Sequence, residues 1–126
     1  MLFLYKILKG KEVIADKVKY CGTFFSRLKG LMFSRRLKKG EALILEAVHE
    51  NVLETTIHMF FVFFPIDVIW LNKNKKVVDI KRNVKPFMLW ISPRDKAKYI
   101  IELPKGITKS IKIGDKIEII YNKNIK

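Results

Sequence analysis

Short apolar stretches, alternating or continuous and broken by glycine, proline and asparagine turns, run along most of the chain. LFLYKIL (residues 2–8) and EVIADKVKY (12–20) are rich in β-branched and aromatic residues and flank Lys9-Gly10-Lys11, which predicts a β-hairpin. Thr23 is placed to cap a short helix on which Phe24, Leu28, Leu31 and Met32 recur at three- and four-residue intervals. SRRLKKG (34–40) reads as a helical turn closed by glycine, and ALILEA (42–47) as a strand. TTIHM (55–59), PIDVIWL (65–71) and KKVVDIK (75–81) suggest a β-meander. Residues 82–95 hold two prolines and no period, which predicts a loop that packs Phe87 and Trp90 onto the body. AKYIIEL (97–103) is a further strand, and SIKI, Gly114-Asp115 and KIEIIY predict a last hairpin.

Seven to nine short strands with one or two short helices define an α+β, predominantly β class: a small barrel-like or half-barrel mixed sheet. No βαβ alternation is present, which argues against a doubly wound nucleotide-binding fold. The expectation is a single domain over residues 1–126, with its core in 12–121. The apolar run at 57–71 is shorter than the roughly 20 residues a membrane-spanning helix needs, and Pro65 and Asp67 interrupt it, so it reads as buried core. The first residues lack the pattern of a secretory signal, so the expectation is a cytoplasmic monomer without a membrane span.

Charge changes this picture in one respect. The formal net charge is +14, yet residues 41–72 hold no Lys or Arg, and all 26 basic residues lie in 1–40 and 73–126. A basic surface suggests weak binding of nucleic acid or another polyanion. The dominance of lysine over arginine and the abundance of isoleucine equally fit the composition of a thermophile's proteins. Cys21 is the only cysteine, which excludes an intramolecular disulfide and multi-cysteine zinc sites. His49 and His58 match no standard zinc spacing, no phosphate-binding glycine motif occurs, and neither metal nor cofactor is expected.

The candidate chemistry lies in the apolar run. Asp67 shares a strand face with Ile69 and Leu71, and a buried carboxylate without a partner costs on the order of 1–3 kcal/mol or more. Its expected partners are His58, Arg27 or Arg35, and Glu102 in YIIEL poses the same problem. One reading is a structural polar network that fixes strand register. Another is a site for a small ligand or a protein partner formed by Arg27, Arg35, His58, Asp67 and Glu102 and rimmed by Trp70 or Trp90. A third makes His58 a catalytic base oriented by Asp67 in a hydrolase-like enzyme, although no spacing links Cys21 or Ser92 to it as a nucleophile.

Four segments in order resemble one known family. FFSRLKGLMFSRRL, IHMFFVFFPIDVIWLNKNKKVVDI, AKYIIELPKG and IKIGDKIEI are similar to the motifs of the domain of unknown function 192 family, in the version typical of archaeal members. The resemblance covers about residues 12–121. Its motif positions correspond here to Arg27, Gly30, Leu31, Met32 and Arg35, then His58, Pro65 and Asp67, then Glu102, Leu103, Pro104 and Gly106. It implies a largely β, barrel-like domain with a short early helix, and no established reaction.

Overall fold

A computed structural model describes residues 5–23 and 29–121. Seven strands follow in chain order: β1 (Tyr5–Lys9), β2 (Glu12–Cys21), β3 (Glu41–Asn51), β4 (Ile66–Leu71), β5 (Val77–Val84), β6 (Ala97–Pro104) and β7 (Glu118–Tyr121), with a 3-10 turn at Leu53–Thr55. They form one mixed sheet in the order β5-β4-β6-β3-β2-β1-β7. The β1–β2 pair is the hairpin set by Gly10, whose φ of 59° supplies the left-handed turn residue. β2 and β3 run parallel. A parallel pair requires a crossover, here the segment between them, which lays Leu31 and Leu37 against the outer face of the sheet.

The sheet curls into a half-barrel. Gly114 N–H donates to the Val77 carbonyl at 2.8 Å and Ile117 N–H to the Lys75 carbonyl at 2.9 Å, so residues 114–117 run along the β5 side. The next four residues pair with β1. Two layers of apolar packing result. The inner layer holds Ile7, Val18, Ile44, Ile69, Ile101 and Leu103, and the outer holds Cys21, Leu45, Val68, Trp70 and Ile100. Ile57, Met59, Val62 and Phe64 cover the outer layer. Every residue of β4 is buried because both of its faces are covered, which explains an apolar run without alternation.

Several expectations need correction. TTIHM is not a strand: Ile57 alone bridges to Ile91, through two backbone bonds of 2.9 Å, because this segment serves as the cover of the outer layer. SIKI does not pair with KIEIIY, whose strand partner is β1. Ser34–Lys39 form no helical turn, although Gly40 does take a positive φ of 92° and its carbonyl accepts the Asp16 and Lys17 N–H groups. β5 continues to Val84, and in the following loop Phe87 and Trp90 remain exposed rather than packing down. The predicted early helix falls largely on residues 24–28, outside the described residues.

Candidate ligand site

β4 and β6 lie side by side with Asp67 opposite Leu103 and Val68 opposite Glu102. Strand side chains alternate between faces, so Asp67 enters the inner layer and Glu102 the outer one. Asp67 is fully buried. Its Oδ1 accepts the Asn83 N–H at 3.0 Å, and its Oδ2 accepts the Gly106 N–H at 3.1 Å and the Thr108 hydroxyl at 2.7 Å, with the Thr108 N–H at 3.4 Å. Arg82 braces the same turn, donating from Nε to Thr108 Oγ1 and from one terminal nitrogen to the Thr108 and Ile111 carbonyls, each at 3.0 Å. The expected partner of Asp67 is thereby corrected. Neither His58 nor Arg35 reaches it, and the Asn83 amide on β5 and the chain turn after β6 supply its donors instead. Arg27 lies outside the described residues.

Glu102 has a different environment. Its neighbours across the sheet are Leu43 and Val68. The residue is 4% exposed, and Oε1 has no hydrogen-bond partner among the described residues. Burial in these apolar surroundings pushes its carboxyl up to about 7. It opens onto a cavity of about 410 Å³ between β3, β6, residues 29–32 and the cover segment, walled by Leu31, Leu45, Ile57, Met59, Val62 and Ile100. Lys29, Glu54, Thr56 and His58 add polar groups to the lining.

His58 is half-buried and its Nδ1 accepts the Phe60 N–H at 3.0 Å. In the neutral ring this bond assigns the proton to Nε2, which leaves the imidazole's single N–H donor available. Arg35 grips Glu41 in a two-pronged contact, 2.8 Å to Oε1 and 2.7 Å to Oε2. Glu41 is buried, and the Arg35 hydrogen bond leads in holding its carboxyl down at about 2. The pair lines an adjoining cavity of about 180 Å³. Trp70 is a core residue whose Nε1 donates to the Thr55 carbonyl at 2.7 Å, and Trp90 stands 82% exposed. Neither tryptophan lines the larger cavity.

The four polar residues singled out from the sequence that lie within the described chain, Arg35, His58, Asp67 and Glu102, therefore do not converge. Of them, His58 and Glu102 share the larger cavity, Arg35 sits at the smaller one, and Asp67 belongs to the opposite face. The sequence reading missed Thr108 and Gly106 as partners of Asp67, and Lys29 as a cavity residue. The glycine turn directly after β6 was the available signal, since a positive φ of 90° at Gly106 aims the following amides back at the strand.

Comparisons with known proteins agree with this architecture. The DUF192 family model, described as "Uncharacterized ACR, COG1430", matches residues 6–119. A UPF0127 protein of Thermococcus sibiricus is 41% identical over 112 residues, covering 87% of this chain and 70% of that protein. A UPF0127 protein of Pyrococcus furiosus is 37% identical over 117 residues, covering 91% and 96%. The crystal structure of a protein of unknown function from Novosphingobium aromaticivorans superposes with a TM-score of 0.81 at 22% identity, covering 91% of this chain and 83% of that one, and so shares the fold. With its family model matched over nearly its whole length, the chain belongs to the domain of unknown function 192 family.

Proposed function

We propose that the chain is a small-ligand binding module whose site is the outer-face cavity, with Glu102 as its buried polar anchor and His58 in its wall. The observation that carries this reading is Glu102 Oε1, which has no hydrogen-bond partner among the described residues and lies at an apolar cavity large enough for a small molecule. A buried acceptor without a donor is destabilising by about 1–3 kcal/mol, and a ligand donor placed on it offsets that cost. The ligand class follows from the lining: a mainly apolar body ending in an amine, amide or hydroxyl. His58 Nε2 supplies the complementary donor for an acceptor elsewhere on the molecule.

The test is a thermal-shift screen of the wild-type protein and Glu102→Met against amines, amides and alcohols of increasing apolar size. A binder of the native state raises the melting temperature according to RT ln(1 + [L]/Kd). The expected result is a saturable rise in the wild type that disappears in Glu102→Met. If no compound raises the wild-type melting temperature, the cavity is a packing defect and this reading fails.

A further inference from the structure

Three loops carry large apolar side chains that the described chain leaves uncovered. Phe33 is 67% exposed, Phe63 58%, Leu89 54% and Trp90 82%, and Phe60, Phe87 and Met88 are exposed as well. Backbone bonds join the loops into one surface: Phe33 N–H donates to the Phe61 carbonyl at 2.9 Å, Phe87 N–H to the Met59 carbonyl at 2.9 Å, and Met59 N–H to the Met88 carbonyl at 2.7 Å. The rings touch across them, with centroids 4.7 Å apart for Phe33 and Phe61 and 5.2 Å for Phe63 and Phe87. Contiguous apolar area of this kind on a protein surface marks an interaction site.

Its electrostatic setting narrows the partner. Residues 29–40 carry five Lys or Arg and residues 81–94 carry four, with no acidic residue in either segment, and residues 59–66 carry no charge. Lys29, Arg36 and Lys85 are exposed and stand within two to four positions of Phe33 or Phe87. We propose that this aromatic apron with its basic rim docks onto the surface of an anionic lipid bilayer. Apolar side chains then enter the boundary between headgroups and acyl chains while the lysines and arginine meet anionic headgroups.

Two other occupants fit less well. Single-stranded nucleic acid binds by stacking bases on aromatic faces, which leaves Met88 and Leu89 without a role. A second copy of this chain, packed about a two-fold axis, opposes the same patch in both subunits, and so sets the basic rim against itself. The proposal does not rest on the cavity: none of the exposed aromatic and aliphatic side chains of the apron lines it, and of the named rim residues Lys29 alone also belongs to its lining.

The experiment mixes the full chain with vesicles of phosphatidylcholine, with and without phosphatidylglycerol, and follows sedimentation and tryptophan emission. Trp70 is fully buried, so Trp90 is the responsive one of the two tryptophans. The expected result is co-sedimentation with the phosphatidylglycerol vesicles only, a blue shift of Trp90, and quenching by brominated acyl chains. Leu89→Asp should abolish the shift at an unchanged melting temperature. Lys85→Ala should weaken binding about fivefold, and added salt should weaken it further. Absence of binding to the anionic vesicles overturns the proposal. Binding without blue shift or quenching that single-stranded RNA displaces also overturns it, in favour of nucleic acid. Concentration-dependent dimerisation that shields Trp90 without lipid overturns it in favour of self-association.

Discussion

Asp67 and Glu102 are acidic side chains on neighbouring central strands, one register step apart, and both are buried. Asp67 meets donors from Asn83, Gly106 and Thr108, whereas Glu102 Oε1 meets none among the described residues. The difference comes from what covers each face. On the inner face the chain turns straight after β6 and presents amides and a hydroxyl. On the outer face the cover is a run of apolar side chains around a cavity. Burial of a carboxyl group is therefore weak evidence of function by itself, and the inventory of its partners separates a fully hydrogen-bonded carboxyl from one without a partner among the described residues.

The largest effect expected from this contrast is at Asp67. Asp67→Ala strands several buried donors and vacates core volume, so the protein should lose about 3–5 kcal/mol in urea unfolding at neutral pH. Asp67→Asn keeps one acceptor and turns an amide toward the Thr108 donors, and should lose less. A loss under about 1 kcal/mol for Asp67→Ala would erase the distinction, because the satisfied carboxylate would then matter no more than an ordinary surface residue.

Glu102 should behave in the opposite sense. Its folded-state carboxyl lies near 7, above the ordinary 4.5, because ionisation in the apolar setting is disfavoured. The unliganded protein should thus be most stable below pH 4.5 as far as this group is concerned. That contribution is lost progressively up to about pH 7, with a ceiling on the order of 3 kcal/mol. Glu102→Gln removes this dependence, and the stabilities of the two proteins should diverge from pH 5 to about pH 7 and keep a constant gap above it. Parallel curves below pH 7 would mean that Glu102 is ionised and paired in solution.

Arg35→Ala is a smaller perturbation of a carboxylate of the first kind. It leaves Glu41 with the Lys38 N–H at 2.7 Å and should lower stability near neutrality by less than Asp67→Ala does, since the guanidinium is itself largely exposed and its pairing is screened by water. The Glu41 carboxyl is held down near 2, so the stabilisation is present above pH 4.5 and fades as the pH falls toward 2. The gap between wild type and variant should therefore close on the acid side, where the Glu102 effect is absent.

The strands were legible because their apolar and β-branched runs are bounded by glycine and asparagine, and the burial of Asp67 and Glu102 was legible because each interrupts an apolar strand. What could not be read was which face each would occupy relative to His58. That depends on residues 57–64 forming a cover instead of a strand, and covers and strands share the same apolar composition. The exposure of Phe87 and Trp90 was hidden for a related reason. Aromatic residues in a loop read as packing material, and their left-handed φ values of 63° and 57° accompany tertiary bonds of Phe87 N–H to Met59 and of Ile91 N–H to Ile57 that the sequence does not display.

The smallest stability effect falls on His58, and it sharpens the comparison most for function. The Phe60 N–H that His58 accepts is exposed, so water can replace the imidazole in His58→Ala, and the stability change should stay within about 0.5 kcal/mol. If the imidazole serves the ligand through Nε2, the same substitution should weaken binding of any compound found in the thermal-shift screen by about tenfold, the worth of one hydrogen bond. His58→Gln, which restores a donor, should recover part of that loss. Unchanged affinity in both variants would leave Glu102 as the sole polar anchor, and an unfolding cost comparable to that of Asp67→Ala would move His58 into the architectural class.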